Sequence, residues 1–216
     1  PLSDDPMCTV KLDRANAFNT VSRQAFVDFT SGDFQERTYD QGHIGAHNRP
    51  PPIPTCFLAH YPSMQAHYDG KARLTMIDSD GATQVIWCTT GVQQGDVEGG
   101  SLFNVAQHSV VGSCMLRHPE VMASMYADNI DLTGPVSKAL LAAKDLEISL
   151  AEIGLLSNPA DSAVYIPTYH DSPTPPQAYT DACAVDGMPA IPWAGQGGGI
   201  MVLGFPLKPN TFVRQA

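Results

Sequence analysis

Two short runs far apart in the chain, KLDRANAFN at Lys11 to Asn19 and MYADNIDL at Met125 to Leu132, each set an aspartate directly after an apolar, strand-like stretch. If folding makes those two strands neighbours, two carboxylates end up side by side. That is how proteins hold divalent cations against phosphate groups. The fold must therefore be one that pairs strands from opposite halves of the sequence.

Local patterning supplies the elements around these runs. Met7 to Leu12 reads as a strand entering the core, and Asn19 is expected to cap a helix in which Val21, Ala25 and Phe29 share a face. The stretch from Ser31 to Pro54, rich in Gly, Pro, His and Asn, reads as a long loop, and Leu58 to Ala66 as a short helix. Arg73 to Asp78 and Thr83 to Cys88 form a hairpin through Asp80-Gly81, a pair that accepts the positive backbone angles of tight turns. A helix follows over Ser101 to Leu116, then a second hairpin, Val121 to Tyr126 with Ile130 to Thr133, around Asp128-Asn129. Pro135 opens another helix and Gly154 ends it. Ser162 to Ile166 returns as a strand, and Thr168 to Gly199 is expected to be irregular. This order predicts an α+β fold, an antiparallel sheet with helices packed on one face.

Composition limits the function classes. With 216 residues, 43% apolar and 16% charged, the chain can bury one sizeable core and is not disordered throughout. Its net charge of -10 argues against a grip on nucleic acid by this stretch alone, because phosphate contacts call for Lys and Arg. Cysteines at 8, 56, 88, 114 and 183 show no C-x-x-C spacing and read as reduced thiols. His43, His47, Cys56 and His60 match no closed zinc spacing and read as a polar loop. No apolar run is long enough to span a membrane and no signal peptide is visible, so an intracellular setting, nuclear or cytoplasmic rather than secreted, is expected.

Four blocks taken in order carry a resemblance. KLDRANAFN is followed by GVQQGDVEGGSLFNVAQHSVV from Gly91, by MYADN, and by GLLSNPADSAVYIP from Gly154. They resemble motifs A, B, C and D of the reverse transcriptase palm of non-long-terminal-repeat retrotransposons. GIMVLGFPL from Gly199 looks like the Leu-Gly-x-Pro segment after that palm. The resemblance implies a palm over 1–167, a Pro/Gly-rich connector over 168–199 and a truncated post-palm strand segment over 200–216. It also implies an RNA-directed DNA polymerase, a nucleotidyltransferase using two Mg2+ or Mn2+ ions. The implied partners are an RNA template, a DNA primer, deoxynucleoside triphosphates, and the fingers and thumb segments of a longer parent protein, with no membrane.

The same likeness assigns the site. Asp13 and Asp128 would hold metal, with Asn129 beside them in the catalytic turn. Phe18 would close the sugar pocket, and Gln94 and Gly95 would line the template and nucleotide side. Each residue has a plainer alternative: a solvated turn for the aspartates, core packing for Phe18, a loop before a helix for Gln94-Gly95. Asn16 and Arg23 match the pattern in structural roles.

Three departures lower the expected activity. Asn129 replaces the second aspartate of motif C, and Asp131, two positions further on, is expected to point elsewhere. Asp161 stands where motif D has a lysine, and an anion there repels charge developing on a leaving pyrophosphate. Val97, Glu98, Gly99 and Gly100 replace Pro-Leu-Gly-Pro after motif B. A weakened or inactive copy is expected, with a non-catalytic structural or interaction domain as the alternative.

Overall fold

The computed structural model describes residues 4–31, 55–68, 70–93, 96–195, 198–202 and 205–207. They form two compact units, one of 1–15 with 110–216 and one of 16–109.

The first unit is built on a four-stranded sheet. Its strands are β1 (Met7–Leu12), β4 (Met122–Tyr126), β5 (Asn129–Pro135) and β6 (Ala163–Tyr165), in the order β4-β5-β1-β6. Every pairing is antiparallel, with Leu12 opposite Ile130, Val10 opposite both Leu132 and Val164, and Tyr126 opposite Asn129. Order and connectivity are those of the split β-α-β-β-α-β arrangement. Alternation sends Cys8, Val10, Leu12, Ile130, Leu132 and Val164 to one face, where all six are buried.

That face is covered by α5 (Val136–Glu152), whose Ala139, Leu140, Ala143, Leu146 and Leu150 recur at helical spacing and are fully buried. Pro135 stands just before the helix, and Gly154, at φ 81°, takes the left-handed conformation that releases the chain after it. The C-terminal half of α4 (Gly99–Arg117) lies against the same helix, where the Cys114 thiol donates to the Ala142 carbonyl at 3.6 Å.

In the second unit α1 (Ala17–Thr20) and α2 (Arg23–Ser31) replace the single helix expected after Asn19. Asn16, in the left-handed region at φ 52°, precedes α1, and Asn19 lies inside it instead of capping α2. α3 (Thr55–Tyr68) is longer than its apolar pattern suggests, and β2 (Ala72–Ile77) pairs with β3 (Thr83–Cys88) as the Asp-Gly turn predicts. The expected loop lies, over 32–54, outside the described residues. His43 and His47 lie there too.

The 168–199 stretch, expected to be irregular, contains the end of a 3-10 turn at Pro167–Tyr169 and a helix, α6 (Gln177–Cys183). Seven residues opened by Pro176 are too few to leave an apolar period in a Pro-rich stretch. A short hairpin, β7 (Ile200–Val202) with β8 (Phe205–Leu207), follows. Cys8, Cys88, Cys114 and Cys183 are free thiols among the described residues, and no described helix is long and apolar enough to cross a membrane.

Candidate functional site

Pairing of β1 with β5 places the two aspartates at the same end of the sheet in the first unit. Asp13 follows Leu12 at the end of β1, while Asp128 precedes Asn129 at the start of β5, so both sit where Leu12 and Ile130 pair. Continuing the ladder one step sets Asp13 opposite Asn129. Ala127 and Asp128 form the turn between Tyr126 and Asn129, and Ala127 adopts φ 52°, a left-handed angle that costs a non-glycine residue about 1–2 kcal/mol.

Asp13 is clamped by the turn of motif D. Its backbone N–H donates to Ser162 Oγ at 3.0 Å, and its carbonyl accepts from the Asn158 N–H at 2.9 Å. Asn158 Nδ2 then donates to Asp13 Oδ2 at 2.9 Å and to Asp161 Oδ2 at 2.7 Å. The second carboxylate is held in the same manner, with Asn129 Nδ2 donating to Asp128 Oδ1 at 3.2 Å. Each aspartate thus has one oxygen engaged by an amide, and neither remaining oxygen has a hydrogen-bond partner among the described residues.

Asn158 and Ser162 were not singled out from the sequence, although both fall inside the motif D block as its asparagine and serine. Their role became visible only when β6 paired with β1. Behind Asp13, Arg14 is fully buried and its Nη1 donates to Glu147 Oε1 at 2.5 Å. Burial pulls the Arg14 pKa down while Glu147 and Asp13 push it up.

Asp131 lies within β5, and no third acid joins Asp13 and Asp128 in a metal-holding group among the described residues. Residues two apart on a strand share a face, so Asp131 lies on the side of Asn129 and Thr133, opposite Lys11 on β1 and Ser124 on β4. It is only 3% exposed, its Oδ1 has no hydrogen-bond partner, and burial raises its pKa against the pull of Lys11.

The second unit holds the residues assigned to the sugar and nucleotide. The half-buried ring of Phe18 stacks on Phe103 of α4, with centroids 4.4 Å apart. Around it the motif A and motif B segments are stitched by their backbones. Val92 N–H donates to the Phe18 carbonyl and Gly91 N–H to that of Val21, both at 2.8 Å. Gly91 has φ 75°, and a Cβ there would lie 2.5 Å from the Asn19 and Phe18 backbone, so only glycine fits.

Arg23, buried, donates to the Gly91 carbonyl at 3.0 Å and the Gly70 carbonyl at 2.6 Å, and lies over the Tyr68 ring. The Tyr68 hydroxyl donates to Asp96 Oδ2, and Asp96 Oδ1 accepts from the Glu98 N–H at 3.0 Å just before α4. Burial first, then Asp96, pushes the Tyr68 pKa up to about 12, while the Tyr68 hydroxyl holds Asp96 below the usual range. Gln94 and Gly95 lie outside the described residues.

The carboxylate edge offers hard oxygen donors, which suits Mg2+ or Mn2+ and not a thiolate metal site. Among the described residues no three His, Cys, Asp or Glu side chains converge as a ready cage. Magnesium characteristically takes one or two protein carboxylates and completes its shell with water and substrate phosphate, so the donor set fits.

No family model matches the chain, and no curated protein matches it. Solved structures do. The chain is similar to telomerase from Candida tropicalis in complex with the TWJ fragment of telomeric RNA, at TM-score 0.51 and 13% identity over 74% of this chain and 26% of that one. Apo telomerase from the same organism gives TM-score 0.51 and 13% identity over 74% of this chain and 28% of that one. The chain thus spans little more than a quarter of those proteins. At this identity the likeness concerns the fold, and the fold is of the reverse-transcriptase kind.

Proposed function

We propose that the chain is a reverse transcriptase palm of the non-long-terminal-repeat retrotransposon type, from an RNA-directed DNA polymerase that extends a DNA primer on an RNA template. The observation that carries this reading is the pair of aspartates at the adjoining ends of β1 and β5, each with one carboxylate oxygen unpartnered among the described residues. Its support is the telomerase-like fold, since a telomerase in that comparison is bound to RNA.

Asp13 and Asp128 would hold two Mg2+ or Mn2+ ions, which when bound neutralise phosphate charge and acidify a primer hydroxyl. Asn158 and Ser162 orient Asp13 from both sides, so its carboxylate stays aimed without rearrangement. Phe18, whose ring stacks on Phe103, would be the residue that disfavours a 2′-hydroxyl. Gln94 and Gly95 would take the template-side role in this reading.

A second reading, a palm retained as a non-catalytic structural domain, is favoured by Asp161. Its carboxylate shares the Asn158 amide with Asp13 where the family has a cation. Primer extension on an RNA template, with Mg2+ or Mn2+ and with Asp128→Ala as control, separates the two. Deoxynucleotide incorporation that the substitution abolishes supports the polymerase; none under either metal supports the remnant.

A further inference from the structure

Away from the paired aspartates, the first unit carries a cavity of about 670 Å³ between Asp4-Asp5, the start of α5 and α6. We propose that it takes an arginine side chain, together with the apolar residues beside it, from a polypeptide partner. Neither Asp13 nor Asp128 lines this cavity, so the site is independent of the polymerase reading.

Its lining selects the ligand by exclusion. Asp4, Asp5 and Asp181 stand on the walls and no Lys, Arg or His does among the described residues, so phosphate and other anions are repelled. A bare metal ion is disfavoured as well, because no three His, Cys, Asp or Glu side chains among the described residues form a group that could hold one. A neutral apolar ligand would strip water from the carboxylates and return nothing for it. What remains is an organic cation on an apolar stem. Leu141, Ala178 and Val185 supply the surface that such a stem covers, and Leu141 and Val185 are both exposed.

The carboxylates are held in place for it. Asp5 accepts from the Ser137 N–H at 3.0 Å and from Ser137 Oγ at 2.6 Å, which fixes its direction at the start of α5. On α6, Asp181 Oδ1 accepts from Gln177 Nε2 at 2.7 Å, while its Oδ2 has no hydrogen-bond partner among the described residues. Lys144 of α5, which reaches the turn after α6, donates to the Asp186 carbonyl and does not line the cavity. A guanidinium meets a carboxylate through a planar fork of donors and sheds water more readily than an ammonium, which favours arginine over lysine. The volume lies in the range of pockets that enclose a drug-sized ligand, more than one side chain fills. Apolar residues next to the arginine take the remainder, against Leu141 and Val185. The net charge of -10 draws such a basic partner in from a distance.

An NMR titration of the 216-residue chain with the capped peptide Leu-Arg-Leu, at low and at physiological salt, tests this. Shifts should appear at Ser137, Ala178 and Asp181, and binding should weaken as salt screens the charges. The same peptide with citrulline, which keeps the shape and loses the charge, should bind roughly 10-fold more weakly. Asp181→Asn should cost about 5-fold, the upper end for an exposed ion pair, and should melt with the wild type because the amide oxygen still accepts from Gln177. Ala178→Phe, which fills the cavity and leaves every carboxylate in place, should remove binding.

Equal binding of the citrulline peptide overturns the role of charge, and this comparison on the wild type holds even if a variant fails to fold. Binding that Ala178→Phe leaves unchanged, shifts that fall elsewhere, or no binding by the wild type overturns the site. Agmatine that binds as tightly as the peptide overturns the polypeptide partner in favour of a free small cation.

Discussion

The sheet of the first unit and the β2–β3 hairpin of the second are both regular antiparallel structure, but they are stabilised in opposite ways. In the sheet, Val10, Leu12, Ile130 and Leu132 are fully buried beneath α5. In the hairpin, Ile77 is 71% exposed, Trp87 57% and Ile86 45%. A two-stranded ribbon alone is marginal in water, whereas several strands under a helix are not. The paired aspartates sit on the element whose register is over-determined, since a slip of one residue would carry Leu132 out of the core and Asp131 into it. Precision at the carboxylates is thus a by-product of burial on the other face.

The largest effect that sharpens this contrast is Leu132→Ala, which should cost roughly 2–5 kcal/mol by equilibrium denaturation. A smaller loss would mean that α5 does not pin the sheet. Gly91→Ala comes next, at about 1–3 kcal/mol for a left-handed residue forced against neighbouring backbone. Limited proteolysis or chemical denaturation would register it as loosening of the second unit. An unaffected stability would break the view that the Phe18–Gly91 stitching holds that unit.

Acid titration should separate the units by sign. The Tyr68 hydroxyl lowers the pKa of Asp96, so its contribution to stability is present above about 3.9, the unfolded value, and fades as pH falls through the lower folded value. Burial raises that of Asp131, so its folded form favours the proton; the stability this gives is full below about 3.9 and is lost as pH rises through the folded value. Denaturation midpoints across the acid range should therefore show Asp96→Asn losing most at neutral pH. Asp131→Asn should gain most there. The smallest effect is that of Trp87→Ser on the exposed hairpin, within about 0.5 kcal/mol by the same denaturation.

Much of the secondary structure was legible because its causes are local. The limits of β1, the Asp80-Gly81 hairpin and the ends of α5 at Pro135 and Gly154 follow from alternation, turn chemistry and capping. The break between α1 and α2 was not legible, because the Val21 carbonyl there accepts from the N–H of Gly91, a residue distant in sequence. The register of Asp131 was not legible for a related reason: it depends on where the turn closes, and the Tyr126–Asn129 pair sets that.

The amino-acid order by itself determined which segments become strands and helices, and that two aspartates fall at strand ends, since both follow from neighbours within a few residues. Only the tertiary structure decided that β1 lies between β5 and β6, that Asn158 and Ser162 grip Asp13, and that Asp131 shares its face. Those outcomes belong to strand pairing across the whole chain, where burial of one apolar face under α5 selects a single register among many that the local sequence allows.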